Sequence, residues 1–250
     1  MPVSKRARRL AALALCLGLA ILDLILVLTV IHAVGTDAAL YHSEQLRADI
    51  LPLAGISDAS LRALDDQLAA CLKGDAEALE GAPFNDRELA HMADCHDLFA
   101  LLRKVRSRLI PWAVLLTVGG AYVLRDRKRA RLCAGLSPLA VLMPLGAFAL
   151  YALSDFDRAF TLFHRLLFKN DLWLLDPETD LLIRVCPESM FMHMGARIAV
   201  YSLIGIFAVS AAAIAVTFIW PKGKEENAWK TTTRRGPAPK RIDFGSRGTR

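Results

Sequence analysis

Histidines in the polar segments are the residues of this sequence best suited to chemistry. His91 and Asp94 are three residues apart, so on a helix they share a face and the carboxylate can orient the imidazole. His164 follows Asp157 by seven residues, which also places that pair on one helical face. Imidazole titrates near pH 6.5 and suits general acid–base catalysis around neutrality. The spacing therefore predicts a site at His91 and His164.

The same residues allow other interpretations. A metal site built from His91, Asp94, His96 and His164 would make the protein a metal-dependent lipid hydrolase, but the sequence has no HExxH or HxH spacing. A non-catalytic membrane protein could bind a partner through its loops, with the histidines acting as a pH sensor or as packing. The absence of a GxSxG elbow, a P-loop, a Rossmann glycine pattern and kinase motifs disfavours a serine hydrolase or a nucleotide enzyme. We expect no metal and no cofactor.

These histidines lie between four long apolar segments, which are residues 10–34, 109–124, 132–153 and 198–220. About 20 apolar helical residues span the ~30 Å hydrocarbon core, and each segment must be helical because lipid offers no water to backbone groups. Segment 109–124 is short, and its Gly119-Gly120 pair lets a neighbouring helix approach closely. The sequence predicts an all-α, polytopic membrane protein with four transmembrane helices.

The distribution of charge predicts the orientation. Basic residues cluster in segments 5–9 and 125–131 and after residue 221, whereas the loop 35–108 is net acidic. By the positive-inside rule, both termini and the middle connection are cytoplasmic. The net charge of +6 is thereby explained without a nucleic-acid partner.

The predicted order of segments follows from this topology. On the cytoplasmic side lie a basic N-terminus (1–9), a basic loop (125–131) and a disordered basic tail (221–250). On the extracytoplasmic side lie a helical loop (35–108) and a loop with an amphipathic helix (154–197). The predicted site then lies on the extracytoplasmic face of the membrane.

The first extracytoplasmic loop predicts two helices. Ser57 can cap the first, and Gly74 ends it. The second begins at Asn85, with Glu88 as its capping-box partner, and continues into the second span. A disulfide between Cys71 and Cys95 is possible on this side of the membrane, and the sequence leaves it open.

The second extracytoplasmic loop begins with an amphipathic helix. Phe156, Phe160 and Phe163 share one face of it, which suits the headgroup boundary of a membrane. A polar turn at Asp176-Pro177 follows. Trp173 fits either an interfacial aromatic belt or the lining of a site, and its indole N–H, like backbone N–H groups of the site, is a candidate oxyanion donor.

At these residues the sequence resembles the four-span bacterial integral membrane family that includes the lipoprotein intramolecular transacylase. The resemblance covers most of the chain except the basic tail. It is carried by His91-Met92-x-Asp94, Asp155-Phe156, Phe163-His164, Asn170-Asp171-x-Trp173-x-x-Asp176-Pro177-x-x-Asp180-x-Leu182-Ile183 and Pro187-Glu188. The sequence departs from the family pattern at Cys95, where a branched apolar residue is expected, and at Met190-Phe191.

The resemblance implies an activity and a site. Its reaction moves the sn-2 acyl chain of a diacylglyceryl lipoprotein to the α-amino group of the modified N-terminal cysteine, giving a lyso-form lipoprotein. Its essential pair corresponds to His91 and His164, without an assignment of base and acid, and its partners are the diacylated lipoprotein and membrane lipid. The supporting or substrate-binding candidates are Asp94, Asp155, Asp157, Asn170, Asp171, Trp173, Asp176 and Asp180.

Overall fold

The computed structural model describes residues 4–75 and 77–219, and they form helices joined by short turns. The helices are α1 (Lys5–Val34), α2 (Ala38–Arg47), α3 (Ile50–Ala54), α4 (Asp58–Lys73), α5 (Asp86–Leu124), α6 (Arg127–Leu136), α7 (Leu139–Ser154), α8 (Phe156–Leu167), α9 (Leu181–Val185) and α10 (Glu188–Ile219). No strand occurs within the described ranges. The predicted all-α class is confirmed. Trp220 and the predicted tail, 221–250, lie outside the described residues.

Four helical stretches are long and apolar enough to cross a membrane: α1, α5, α6 continued by α7, and α10. The prediction of four spans is confirmed. Segment 109–124 forms the second half of α5, which is one continuous helix with Pro111 inside it. Segment 132–153 covers the end of α6 and nearly all of α7, which meet at Ser137 and Pro138.

The bundle is built on the pairing of α1 with α5, its most extensive helix–helix contact. Two glycines allow the backbones to approach closely. A Cβ on Gly120 would lie 2.7 Å from the Leu15 nitrogen, and one on Gly18 would lie 2.6 Å from the Thr117 nitrogen. A Cβ on Gly119 would have no described atom within 4 Å. The predicted close approach is thus confirmed at Gly120 and is wrong for Gly119.

A helical cap covers one end of the bundle. We define the cap as α2, α3, α4, residues 86–102 of α5 and the segment 155–187. Its apolar core joins the first and second loops, since Leu61, Leu64 and Leu68 of α4 share a buried cluster with Leu182 and Val185 of α9. The cap therefore packs as one body rather than as two separate loops.

The helix boundaries in the cap follow from side-chain capping. The Ser57 hydroxyl accepts a hydrogen bond from the Ser60 nitrogen at 3.1 Å, and α4 ends at Gly74, whose φ is 127°. Asn85 and Glu88 form a complete capping box at the start of α5. The predicted starts of α4 and α5 are both confirmed.

Candidate active site

The cap brings His91 of α5 and His164 of α8 together. Their ring centroids are 6.1 Å apart, with the planes inclined by 38°. Each residue is 8% exposed. Two imidazoles from elements distant in sequence therefore lie close together with little exposure to solvent.

The His164 ring is fixed by a hydrogen bond and by aromatic stacking. Its Nδ1 lies 2.8 Å from the Phe160 carbonyl oxygen. A carbonyl can only accept, so Nδ1 carries the proton and Nε2 holds the lone pair. Trp173 stacks on one side with a centroid distance of 4.9 Å, and Phe168 stacks at 5.6 Å. His164 is thus presented as a base through Nε2.

The His91 ring is held differently. Its Nε2 lies 3.6 Å from the Cys95 sulfur, one helical turn along α5. Phe168 meets the ring edge-on with a centroid distance of 5.2 Å. The Nδ1 atom is buried and has no hydrogen-bond partner in the described part of the chain.

Burial sets the charge state of both imidazoles. It lowers the pKa of His91 to about 4, with a further lowering from neighbouring His164 and an opposing influence of Asp94. Burial also lowers the pKa of His164, against the hydrogen bond to the Phe160 carbonyl. Both rings are therefore neutral near pH 7, as a proton acceptor must be.

The three-residue spacing predicted that Asp94 could orient the His91 imidazole. In the structure, the Asp94 carboxylate has a different hydrogen-bond partner. Its Oδ2 accepts a 2.8 Å hydrogen bond from the side-chain amide of Asn170. This contact joins α5 to the turn that follows α8. Asp94 thereby acts on the position of the loop, while Cys95 makes the polar contact to the ring.

The Trp173 indole, a candidate oxyanion donor, has a hydrogen-bond partner within its own turn. Its Nε1 donates to the Asn170 backbone carbonyl at 3.0 Å, so the group is already engaged. Trp173 is 8% exposed and lies against His164. Trp173 was predicted to belong either to an interfacial aromatic belt or to the lining of a site. Its contact with His164 matches a position in the lining of the candidate site.

Asp180 lies in the cap as a structural anchor. Its side chain is buried and accepts hydrogen bonds from the Asn85 side-chain amide and the Asp176 nitrogen, both at 2.7 Å. Glu88 complements it by accepting from the Asn85 and Leu182 backbone nitrogens. These bonds tie the start of α5 to α9 and thus hold the helix that carries His91.

Four other candidates are not brought against the histidine rings by any described contact. Asp155 caps α8 and pairs with Arg158 at 3.1 Å. Asp157 is exposed. Asp171 is exposed and binds Arg87 through its backbone carbonyl. Asp176 shapes its turn by accepting from the Glu178 nitrogen.

Sequence reasoning did not select three residues that contact the histidines. Phe160, Phe168 and Cys95 each lie four residues from a histidine that they touch. That spacing places two side chains on one helical face and could have revealed Phe160 and Cys95. Phe168 follows the end of α8, so helical periodicity alone does not place it.

A second polar cluster joins the cap to the start of α10. The fully buried Glu44 carboxylate pairs with His193 at 2.7 Å and with Arg197 and Arg47 at 2.9 Å each. It ties α2 to the start of α10. This cluster was also missed, because Glu44 is separated from His193 and Arg197 by about 150 residues.

The described residues form neither a disulfide nor a metal-binding cluster. All five cysteines are free, so Cys71 and Cys95 are not paired. Within residues 4–75 and 77–219, no group of three or more histidine, cysteine, aspartate or glutamate side chains is placed to hold a metal ion.

The fold and site define a polytopic helical membrane protein with a buried histidine pair in a helical cap. The model of the family described as lipoprotein intramolecular transacylase Lit matches residues 16–191. The chain belongs to this family, whose activity is an intramolecular transacylation. A comparison with curated protein sequences gives no match.

Solved structures share the fold. The membrane-integral lipoprotein intramolecular transacylase Lit from Bacillus cereus is 20% identical, with a TM-score of 0.61 over 93% of this chain and 100% of that chain. A histidine-to-alanine variant of that protein is 22% identical, with a TM-score of 0.58 over 90% of this chain and 96% of that chain. At this level of identity, the likeness shows a common architecture.

Proposed function

We propose that this chain moves the sn-2 acyl chain of a diacylglyceryl lipoprotein to the α-amino group of its N-terminal cysteine, with His91 and His164 as the acid–base pair. The observation that carries the proposal is the 6.1 Å approach of two buried rings from α5 and α8. Membership of the transacylase family supports the reaction class.

The chemistry needs two proton transfers. The amine nitrogen attacks the ester carbonyl and loses a proton to a base. The bond from the carbonyl carbon to the glyceryl oxygen then breaks, and that oxygen takes up a proton. A neutral His164 with its lone pair at Nε2 suits the first transfer. The proton that it takes from the amine is the one that the glyceryl oxygen needs, and His91 is near enough to share in passing it on. Because amine and ester belong to one molecule, holding them in near-attack geometry supplies much of the rate.

The aromatic and apolar surface of α8 suits a lipid substrate. Leu162, Phe163 and Leu166 are 40%, 42% and 72% exposed. These side chains form an apolar face beside the buried His164. Acyl chains lying on this face would hold the ester at a neighbouring depth in the membrane, close to the imidazole. A diacylated lipoprotein within membrane lipid matches that surface.

We place the cap on the extracytoplasmic face, with both termini in the cytoplasm. Support comes from the basic residues of α6, which connects α5 to α7 at the far end of the bundle from the cap. Reporter fusions at Asp75 and Asp180 should give an extracytoplasmic signal, and one at Arg127 a cytoplasmic signal. A cytoplasmic signal at Asp180 would overturn this orientation.

The activity is tested by tandem mass spectrometry of a host lipoprotein's N-terminal lipopeptide, with and without this protein, because the two forms have equal mass and only fragmentation shows whether an acyl chain is on the α-amino group. Wild type should convert the diacylglyceryl form to the lyso-form at unchanged total acyl count. His91→Asn and His164→Asn should each lower conversion about 10²–10⁴-fold, the usual contribution of a general acid or base. Conversion by the double variant should be little lower than that by either single variant, because the effects of substituting groups that act as a unit do not add.

His96→Asn is the matched control, since it makes the same substitution on α5, where His96 pairs with the exposed Asp97. It should keep conversion within about twofold of wild type, a change well under 1 kcal/mol. Full activity of the His91 or His164 variant at normal abundance would exclude the pair as catalytic.

A further inference from the structure

Cys95 is a thiol placed directly against a histidine of the candidate site. Its sulfur lies 3.6 Å from His91 Nε2, a distance suited to a hydrogen bond involving sulfur. The two residues are four apart on α5, so the continuous helix fixes their relation. The sulfur also packs against the apolar core of the cap.

The state of the thiol limits what it can do. Burial, with smaller influences of Asp94 and Cys71, raises the pKa of Cys95 to about 12. A thiol of this kind keeps its proton near neutrality and is a poor nucleophile, since the thiolate is the reactive form. It remains able to donate a weak S–H hydrogen bond or to accept one.

The two histidines differ in which ring nitrogen makes a hydrogen-bonding contact. In His164, Nδ1 is bound to the Phe160 carbonyl, and Nε2 is available. In His91, Nε2 is engaged by Cys95, whereas Nδ1 is buried and has no hydrogen-bond partner among residues 4–75 and 77–219. An unpartnered polar nitrogen in a residue that is 8% exposed is costly unless something binds there.

We propose that Cys95 is a positioning residue for His91, whose sulfur engages Nε2, fixes the ring and leaves Nδ1 as the nitrogen that exchanges a proton with substrate. This inference rests on the proposed transacylase function. It assigns the working atoms as His91 Nδ1 and His164 Nε2. An apolar side chain at position 95 would leave both nitrogens of His91 without a fixed partner.

The kinetic test compares Cys95→Ala with Cys95→Ser in purified, lipid-reconstituted protein acting on a synthetic diacylated lipopeptide. Cys95→Ala should lower kcat about tenfold, the effect of about 1.4 kcal/mol, with KM within about twofold. Cys95→Ser retains a group that can engage Nε2 and should recover kcat to within about threefold of wild type.

Cys71→Ala is the matched control. Cys71 is buried in the same apolar cluster, so its truncation also costs packing but removes no described contact with His91. It should lower thermal stability while leaving kcat per folded molecule unchanged. A kcat loss in Cys71→Ala equal to that in Cys95→Ala would assign the effect to packing and overturn the proposal.

A second measurement is independent of turnover. In protein with ¹⁵N-labelled histidine, the His91 nitrogen shifts report which ring nitrogen carries the proton. Cys95→Ala should change these shifts, and Cys95→Ser should largely preserve them. Shifts and kcat both unchanged in Cys95→Ala would refute the positioning role. A substrate-derived acyl adduct on Cys95, found by intact mass, would also refute it in favour of a thioester carrier.

The two levels of inference fail in different ways. If wild type leaves the diacylated lipopeptide unconverted, the proposed function is wrong. The nitrogen shifts then still decide whether Cys95 fixes the His91 ring. If wild type converts the substrate and Cys95→Ala does so equally well, only the role of Cys95 is lost.

Discussion

The side-chain amide of Asn170 donates a 2.8 Å hydrogen bond to Asp94 Oδ2, which joins the turn after α8 to α5. Asn170 also accepts the indole N–H of Trp173 through its backbone carbonyl at 3.0 Å. Trp173 in turn stacks on His164. One residue thus connects the helix that carries His91 to the aromatic side chain that supports His164.

This connection predicts a reversible effect of charge. Asn170→Asp places a second carboxylate beside Asp94, and repulsion should displace the turn and lower turnover about tenfold. In the double variant Asn170→Asp with Asp94→Asn, the amide at position 94 can donate to the carboxylate at position 170. The hydrogen bond is restored in the opposite direction, so turnover should recover. Turnover assays on the two single variants and the double variant check this. Equal loss in Asn170→Asp and the double variant would contradict the linkage.

The lowered pKa of His91 predicts a pH-dependent stability. The unfolded chain binds this proton near pH 6.5 and the folded chain near pH 4. The contribution of neutral His91 to the free energy of unfolding is therefore complete above about pH 6.5. It falls as the pH drops towards 4, because the unfolded chain binds the proton first. His91→Asn lacks this contribution, so its thermal midpoint in detergent should fall less between pH 7.5 and 4.5. Identical pH dependence in the two proteins would contradict a buried, neutral His91.

Local signals in the sequence predicted much of the fold. Asn85 and Glu88 define the start of α5 because a capping box involves only neighbouring residues. The apolar segments predicted the spans because lipid permits few alternatives to a helix. In contrast, the Asp94–Asn170 bond joins residues 76 apart, and only the packed cap determines it.

The candidate site was partly predictable for the same reason. Residue type and spacing singled out His91 and His164, and the structure places them in one cap. Spacing alone could not decide that Asp94 turns to Asn170 while Cys95 meets the ring, because positions three and four residues away compete for the same face. The engaged indole of Trp173 likewise depends on the fold of its turn.

Glu88 should be needed for the stability of the cap. It is 1% exposed and accepts hydrogen bonds from the Asn85 and Leu182 backbone nitrogens. Glu88→Gln turns one acceptor into a donor that faces a backbone N–H, which leaves buried groups unpaired at about 1–3 kcal/mol each. The thermal midpoint should fall clearly, whereas Glu80→Gln, at an exposed position, should leave it unchanged. A wild-type midpoint in Glu88→Gln would show that the α5–α9 connection is unimportant.

The adjacent glycines of α5 give a paired test of the α1–α5 interface. A Cβ on Gly120 would lie 2.7 Å from the Leu15 nitrogen and 2.9 Å from the Ala11 carbonyl oxygen, and backbone atoms cannot yield as a flexible side chain can. Gly120→Ala should therefore force α1 and α5 apart and cost about 1–3 kcal/mol, the usual range for overpacking. Gly119→Ala adds the same methyl group where nothing lies within 4 Å, and it should be neutral or slightly stabilising because alanine favours a helix. Thermal unfolding of both variants in the same detergent measures the difference. Equal midpoints would mean that the two helices do not pack backbone to backbone at Gly120.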